Sequence, residues 1–422
     1  MKSLSLFPPI RLEGRITLPA SKSISNRALL INALSQGREL PRNLSDCDDT
    51  NVMLRALQDM PQLIDIGAAG TAMRFLTAYL CVTPGVHDIT GTERMRHRPI
   101  GLLVDALRQL GADIEYMGEE GFPPLHITGR TDLEGGDLTI AGDVSSQYVS
   151  ALLMVGPTFR RGLRLKLTGN IASRPYLDMT ITMMRDFGAK VNWTEKDTIE
   201  VQPVPYTPRP YSVEGDWSAA SYWYEMVSLA RNKDVQIDLV GLCNDSIQGD
   251  SLVREMFSSL GVHTQFLTEP DGTSVARLTQ GEGVTCYFLC DLTHQPDLAQ
   301  TLAVTCAMLE VPFCLTGLQS LRIKETDRIA ALDKELGKLV PLKTSDSSIE
   351  WEGYYSADNT DLKTDARLVF DTYDDHRMAM SLAPVCQRAD NGIRINNPQV
   401  VSKSYPNFWS DLDKVGFIVK WN

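Results

Sequence analysis

Leu107-Arg108-Gln109-Leu110-Gly111-Ala112 closes an amphipathic stretch with a glycine, and the phrase returns as Met184-Arg185-Asp186-Phe187-Gly188-Ala189 and Phe257-Ser258-Ser259-Leu260-Gly261-Val262. A glycine after the last helical turn is a stop signal. The three glycines are 77 (188 minus 111) and 73 (261 minus 188) residues apart, and Gly337 follows after another 76. A second phrase runs in step, a small polar cluster opening an apolar helix: Ser21-Lys22-Ser23, Gly70-Thr71-Ala72, Ser145-Ser146-Gln147, Asp216-Trp217-Ser218, Pro296-Asp297-Leu298 and Asp375-His376-Arg377. The Ser, Thr and Asp residues there read as N-caps. Starts at residues 21, 70, 146, 218, 297 and 375 are separated by 49, 76, 72, 79 and 78 residues. The period therefore predicts six supersecondary units, the first about 25 residues short, as loss of a hairpin would make it.

Each full unit reads as strand, capped helix, strand, second helix ending in glycine, then a hairpin such as Ala189 to Trp193 and Thr198 to Val201 around Glu195-Lys196-Asp197. That is an α/β class with mixed sheets. Pro203-Val204-Pro205-Tyr206-Thr207-Pro208-Arg209-Pro210 divides the chain near its middle, three units to a side. In the short first unit, a helix from Asp49 to Met60 offers Val52, Leu54, Ala56 and Leu57 to a core.

At 422 residues the chain exceeds what one hydrophobic core usually supports, so two domains are expected. Hydrophobic residues at 43% and charged ones at 22% are those of an ordinary globular protein. The opening MKSLSLFPPI is too short and broken for a signal peptide, and the most apolar stretch, Thr301 to Leu315, is interrupted by Thr305, Glu310 and Pro312. Neither export nor a membrane span is expected. The eight cysteines form no CxxC pair, so reduced thiols in a cytoplasm fit better than zinc or disulfides. A net charge of −12 disfavours a general binder of nucleic acid or anionic membrane, which leaves the question of where the cations gather.

Helix N-termini carry partial positive charge and unbonded N–H groups, so six in equivalent positions would face a cleft that attracts anions. One such start alone is ordinary capping. In Leu18-Pro19-Ala20-Ser21-Lys22-Ser23-Ile24-Ser25-Asn26-Arg27, Lys22 opens the helix and Arg27 lies about one turn inside, a spacing that suits a phosphate or carboxylate. The Gly-x-x-x-x-Gly-Lys pattern of a P-loop is absent. Lys324-Glu325-Thr326-Asp327-Arg328, read alone, also fits a solvated helix with i, i+3 ion pairs.

LPASKSISNRALL, IGAAGTAMR, RMRHRPIG, VSSQYVSALLM, RIKETDR, YDDHRMAM and SKSYP follow one another along nearly the entire chain. Together they resemble the 5-enolpyruvylshikimate 3-phosphate synthase family. The resemblance implies an enolpyruvyl transferase-like inside-out α/β barrel fold: two domains, each of three βαβαββ repeats with helices packed inside. Here these would be residues 20–214, with the shortened repeat, and residues 1–19 plus 215–422. It implies an active site in the cleft between them, closing on substrate with hinges near Pro19-Ala20 and Glu214-Gly215.

The substrates implied are shikimate 3-phosphate and phosphoenolpyruvate, with no metal or organic cofactor, no nucleic acid and no membrane. Carried over position by position, shikimate 3-phosphate would be held by Lys22, Ser23, Arg27, Ser145, Ser146, Gln147, Ser173, Tyr176, Asp297, Lys324 and Ser320, the last standing where some members use Asn. Phosphoenolpyruvate would meet Lys22, Gly70, Arg98, Gln147, Arg328, Arg377 and Lys403, whose forked guanidiniums suit its carboxylate and phosphate. Asp297 would be the general base, Glu325 the proton carrier at the methylene, and Lys22 a catalytic cation. The chain departs from the common pattern at Ala68, where the family usually has Asn, and at Phe75, where Pro often follows the motif arginine. A related transferase acting on UDP-N-acetylglucosamine would carry its own loop with a reactive cysteine, and a non-catalytic anion-binding homologue would lack a carboxylate or an arginine. Since one chain carries every implied ligand, a monomer is the default expectation.

Overall fold

Gly111, Gly188 and Gly261 sit at φ of 102°, 86° and 81°, the left-handed region where a β-carbon is strained, so each ends its helix as the repeat demands. Gly337 also ends its helix, but it stays right-handed at φ −59°, and the chain coils on through Leu339 and Val340, which both bond back to Leu336 and are buried. The helix thus stops where the sequence says, and the added turn tucks Leu339 and Val340 into the core.

The structure is a computed structural model that describes residues 2–143, 145–354 and 367–422. The chain divides into two compact units, Ala20–Val213 and Met1–Pro19 with Glu214–Asn422. Five four-stranded sheets are present among the described residues, all open and none closed into a barrel. All follow one plan. In the sheet of Leu63–Asp65, Gly85–Thr90, Leu125–Gly129 and Asp113–Tyr116, the first two strands are parallel across a helix, and the last two form an antiparallel hairpin returned against them. Gly136–Ala141, Leu163–Thr168, Thr198–Val201 and Val191–Glu195 repeat it, with the hairpin two residues shifted from the sequence reading at its first strand. A parallel pair needs a crossover and an antiparallel pair only a turn, so strand, helix, strand, helix, hairpin leaves little choice of order.

The sequence period does not reveal which strands come from afar. Glu13–Thr17 pairs in parallel with Gln236–Val240, serving as the first strand of the fourth repeat. Ser3–Phe7 lies between Ile393–Asn396 and Ile418–Trp421 and completes the sixth. The first repeat keeps only the helices Lys22–Leu34 and Asp48–Asp59 before Leu63–Asp65, with no sheet of its own. The second of these helices turns Met53 and Ala56 fully inward, while Val52, Leu54 and Leu57 are only half-buried. The proline-rich stretch adds no strand; Tyr206 donates to the Met154 carbonyl at 2.8 Å and Thr207 N–H to that of Phe187 at 2.7 Å.

The helices that open each repeat are the inner layer. Every residue of Gly70–Val82, Ala299–Met308 and His376–Leu382 is buried, as are all of Trp217–Leu229 except Ser218. A helix that is apolar all round belongs inside a core. Within Trp217–Leu229, Glu225 is fully buried and neither of its carboxylate oxygens has a partner among the described residues. Burial holds its proton affinity well above the ordinary carboxylate value. The native state thus keeps a proton that the unfolded chain loses above about 4.5, so Glu225 stabilises fully below that pH and progressively less above it. Glu225→Gln is expected to raise the melting temperature by several degrees at about pH 8, with the gain fading toward about pH 5. Thermal unfolding at the two pH values checks it; an equal gain at both would refute the buried-acid account.

Candidate active site

Of the six helix starts, four carry the expected side-chain cap: Ser21 accepts from Ile24 N–H, Ser145 from Gln147, Asp216 from Ala219 and Asp375 from Arg377. The other two do not. Ala69 occupies the cap of Gly70–Val82, and Thr71, one turn-position inside, instead accepts from Gln147 Nε2 at 3.2 Å. Asp297 lies within the 3-10 turn Pro296–Leu298, whose cap position is Gln295, and its carboxylate is engaged by cations. The sequence reading of those two as caps is corrected accordingly.

In the unit Ala20–Val213, four helices are tied together by named bonds near their starts. Arg27 is buried, donates from Nε to Thr180 Oγ1 at 2.7 Å and from its two terminal nitrogens to the Ser23 carbonyl at 3.0 Å and Ser150 Oγ at 3.0 Å, and stacks 5.4 Å from the Phe75 ring. Burial among neutral partners pushes it down to about 10, still protonated at any working pH. The Tyr176 ring lies 6.0 Å from the same guanidinium. Lys22 sits 3.7 Å from Asp49. Ser173 adopts a left-handed φ of 54° at the start of Arg174–Asp186, and Ser23 and Ser146 are half-buried beside their helix starts.

Arg98 is the least satisfied cation here. It is buried, its Nε has no partner among the described residues, and Nη1 would lie 2.7 Å from a β-carbon added to Gly70. Glycine at position 70 is thus what admits the guanidinium against the helix start. No carboxylate among the described residues pairs with it, which leaves donors able to take an anion.

In the other unit the cations meet carboxylates. Arg328, 1% exposed, donates from Nε to Asp375 at 2.7 Å, from Nη1 to Asp297 at 3.0 Å and from Nη2 to Glu325 at 2.9 Å. Asp297 also receives Arg377 at 2.8 Å, with Lys324 Nζ 3.8 Å away, and Glu325 receives Lys403 at 3.1 Å. Tyr222 OH lies 3.4 Å from Arg377. Burial works against the charge on Arg328, but Asp375, Glu325 and Asp297 together outweigh it and raise its proton affinity. Burial lowers that of Lys324, against the pull of Asp297, and pushes the Tyr222 phenol up to about 12.

The solvated-helix reading of Lys324–Arg328 fails. The helix begins only at Arg328, capped by Asp327, so Lys324 and Glu325 lie in an irregular turn and face buried partners. The i, i+3 bond between Glu325 and Arg328 does form, but inside the protein. Ser320 sits half-buried in the turn Gln319–Ile323 and makes no side-chain hydrogen bond among the described residues. Five participants went unassigned in the sequence reading: Asp375 as the partner of Arg328, Asp49 beside Lys22, Ser150 and Thr180 on Arg27, and Tyr222 on Arg377. A buried arginine demands an acceptor, so the Asp374-Asp375 pair beside Arg377 was the one available signal; the hydroxyls had none. Among the described residues, no group of three or more His, Cys, Asp or Glu side chains is set to hold a metal ion.

The family model described as EPSP synthase (3-phosphoshikimate 1-carboxyvinyltransferase) matches residues 7–64 and 58–412. The chain is similar to 3-phosphoshikimate 1-carboxyvinyltransferase of Bacteroides fragilis, with 53% identity over 98% of both chains. It is also 36% identical to the protein of that name from Shewanella denitrificans, over 98% of this chain and 99% of that one. In fold it matches the 2.37 Å structure of EPSP synthase from Acinetobacter baumannii with a TM-score of 0.78, at 20% identity and over 100% of each chain.

Proposed function

The chain belongs to the EPSP synthase family, and from that premise we propose how its own residues divide the reaction. It transfers the enolpyruvyl group of phosphoenolpyruvate to the 5-hydroxyl of shikimate 3-phosphate and releases phosphate, a step of the shikimate pathway to aromatic amino acids. The hydroxyl oxygen bonds to the central carbon while the methylene gains a proton; the carbon–phosphate oxygen bond then breaks and a methyl proton is withdrawn. Two proton-handling groups are required.

The observation that carries the assignment is that Asp297 and Glu325 hang on one buried arginine, at 3.0 and 2.9 Å, yet have different second partners. Asp297, with Arg377 and Lys324, is the base for the 5-hydroxyl. Glu325, with Lys403, exchanges the proton at the methylene carbon. Arriving anions compete with these carboxylates for Arg377, Lys403 and Lys324, and a carboxylate that loses a cation becomes a better proton acceptor. Arg98 and Gly70, with Lys22 and Gln147, take phosphoenolpyruvate; Ser23, Arg27, Ser145, Ser146, Ser173, Tyr176, Ser320 and Lys324 take shikimate 3-phosphate. Lys22 and the arginines stabilise charge on the tetrahedral adduct and on departing phosphate.

We place the enzyme in the cytoplasm as a monomer: none of its eight cysteines is disulfide-bonded, and one chain supplies all these ligands. No helix among the described residues is long and apolar enough to cross a membrane. The test is phosphate release on mixing phosphoenolpyruvate with shikimate 3-phosphate, with UDP-N-acetylglucosamine in a parallel tube. Release is expected only in the first. Release with the nucleotide sugar alone would favour the related transferase instead.

A further inference from the structure

We propose that Asp250 is a positioning residue for proton transfer at Asp297: its carboxylate, held by Ser218 at the start of the helix Trp217–Leu229, sets the charge that Asp297 and Arg377 feel. The turn Gly249–Leu252 that carries Asp250 packs on this helix, and the helix packs in turn on Pro296–Leu298, which carries Asp297. Gln248 fixes the arrangement, accepting Trp217 N–H at 3.2 Å and donating to the Gly215 carbonyl at 2.8 Å. Asp250 is 3% exposed; one oxygen takes the Ser218 hydroxyl, and the other is buried without a partner among the described residues. An oxygen left unbonded in the interior is costly, and here it belongs to the turn packed on the helix that also packs against the turn carrying Asp297.

The charged groups that face Asp250 are Asp297, Arg377 and Asp216. Burial and then the Asp297 charge push it up to about 6, against the Ser218 hydrogen bond and Arg377. Asp250 therefore changes charge just below neutrality. Coulomb interaction is mutual, so an ionised Asp250 makes Asp297 hold a proton more readily and shares the attraction of Arg377; a neutral one does neither. The inference rests on the reading of Asp297 as the base.

The test is the pH dependence of kcat at saturating substrates for the full chain, Asp250→Asn, Ser218→Ala and Asp297→Asn, with melting temperatures alongside. The native enzyme should show an acid-side step near the Asp250 titration. Asp250→Asn should lose that step and run about three- to tenfold slower on the alkaline plateau, converging with the native enzyme in acid, with both KM values within about twofold. Ser218→Ala removes a donor to the ionised form, so its step should move to higher pH. Profiles that superimpose on the native one, or a loss that is equal at every pH and tracks melting temperature, would overturn the inference. If Asp250→Asn does not fold, the Ser218→Ala step decides alone, and an unmoved step overturns it. A near-native rate in Asp297→Asn removes the premise; a slow Asp297→Asn with an unshifted Asp250→Asn removes only the role of Asp250.

Discussion

Asp297→Asn is expected to bind shikimate 3-phosphate normally and to turn over at least about a hundredfold more slowly, the lower range for losing a general base. The amide has the same shape but cannot take up the hydroxyl proton. The surrounding cations should stay in place, because Arg328 keeps Asp375 at 2.7 Å and Glu325 at 2.9 Å. Arg377 keeps the Asp297 main-chain carbonyl at 3.5 Å and Tyr222 at 3.4 Å. Steady-state kinetics together with calorimetric binding of shikimate 3-phosphate separate the two effects. A rate within a fewfold of native would reject Asp297 as base, and lost binding would recast it as a ligand.

Arg328→Ala should be the most destabilising single change at the site, by about 3–5 kcal/mol, because removing one member of a buried ion network strands the others. Asp375 is 0% exposed, and Asp297 and Glu325 are only 16% and 14% exposed, so three carboxylates would face one another with little solvent to screen them. Arg377 and Lys403 would still hold Asp297 and Glu325, which leaves Asp375 as the group without a cation. Urea unfolding of Arg328→Ala, Asp375→Asn and the double variant tests this directly. The double variant should be less damaged than the sum of the singles, since removing the stranded charge relieves the strain that the first change created. Additive losses would mean that the pair contributes packing and not charge balance.

The repeat was legible because each full unit spells out the same local instructions, and five sheets of one plan follow from them. What local instructions omit is partnership. Ser3–Phe7 carries no mark that it belongs between Ile393–Asn396 and Ile418–Trp421, since strand pairing over such a span depends on which edge remains open after the neighbouring units fold. Gly337 shows a smaller gap: the helix Arg328–Leu336 stops there as read, but in a right-handed conformation followed by a further turn that buries Leu339 and Val340, which the glycine alone does not announce. At the site, the residue types could be read but their couplings could not. The spacing of Glu325 and Arg328 serves a surface helix and a buried bridge equally well, and only the cap at Asp327 decides between them. Glu225 was invisible for a related reason: the sequence marks the helix as apolar but cannot say that its one acid points inward with no partner among the described residues.

The strand Ser3–Phe7 also imposes a timetable on the ribosome. Its register partners run from Ile393 to Asn396 and from Ile418 to Trp421, so a strand made long before its partners is among the last to be paired. At roughly 5–20 residues per second, Ser3 waits on the order of half a minute for Asn396 to emerge. During that interval the segment Ala20–Val213 has everything its own two sheets require, and it is free to condense while its leader dangles. An unpaired strand of Leu4 and Leu6 is adhesive in that state, and a nascent chain so built is a natural client for a holding chaperone until its tail arrives.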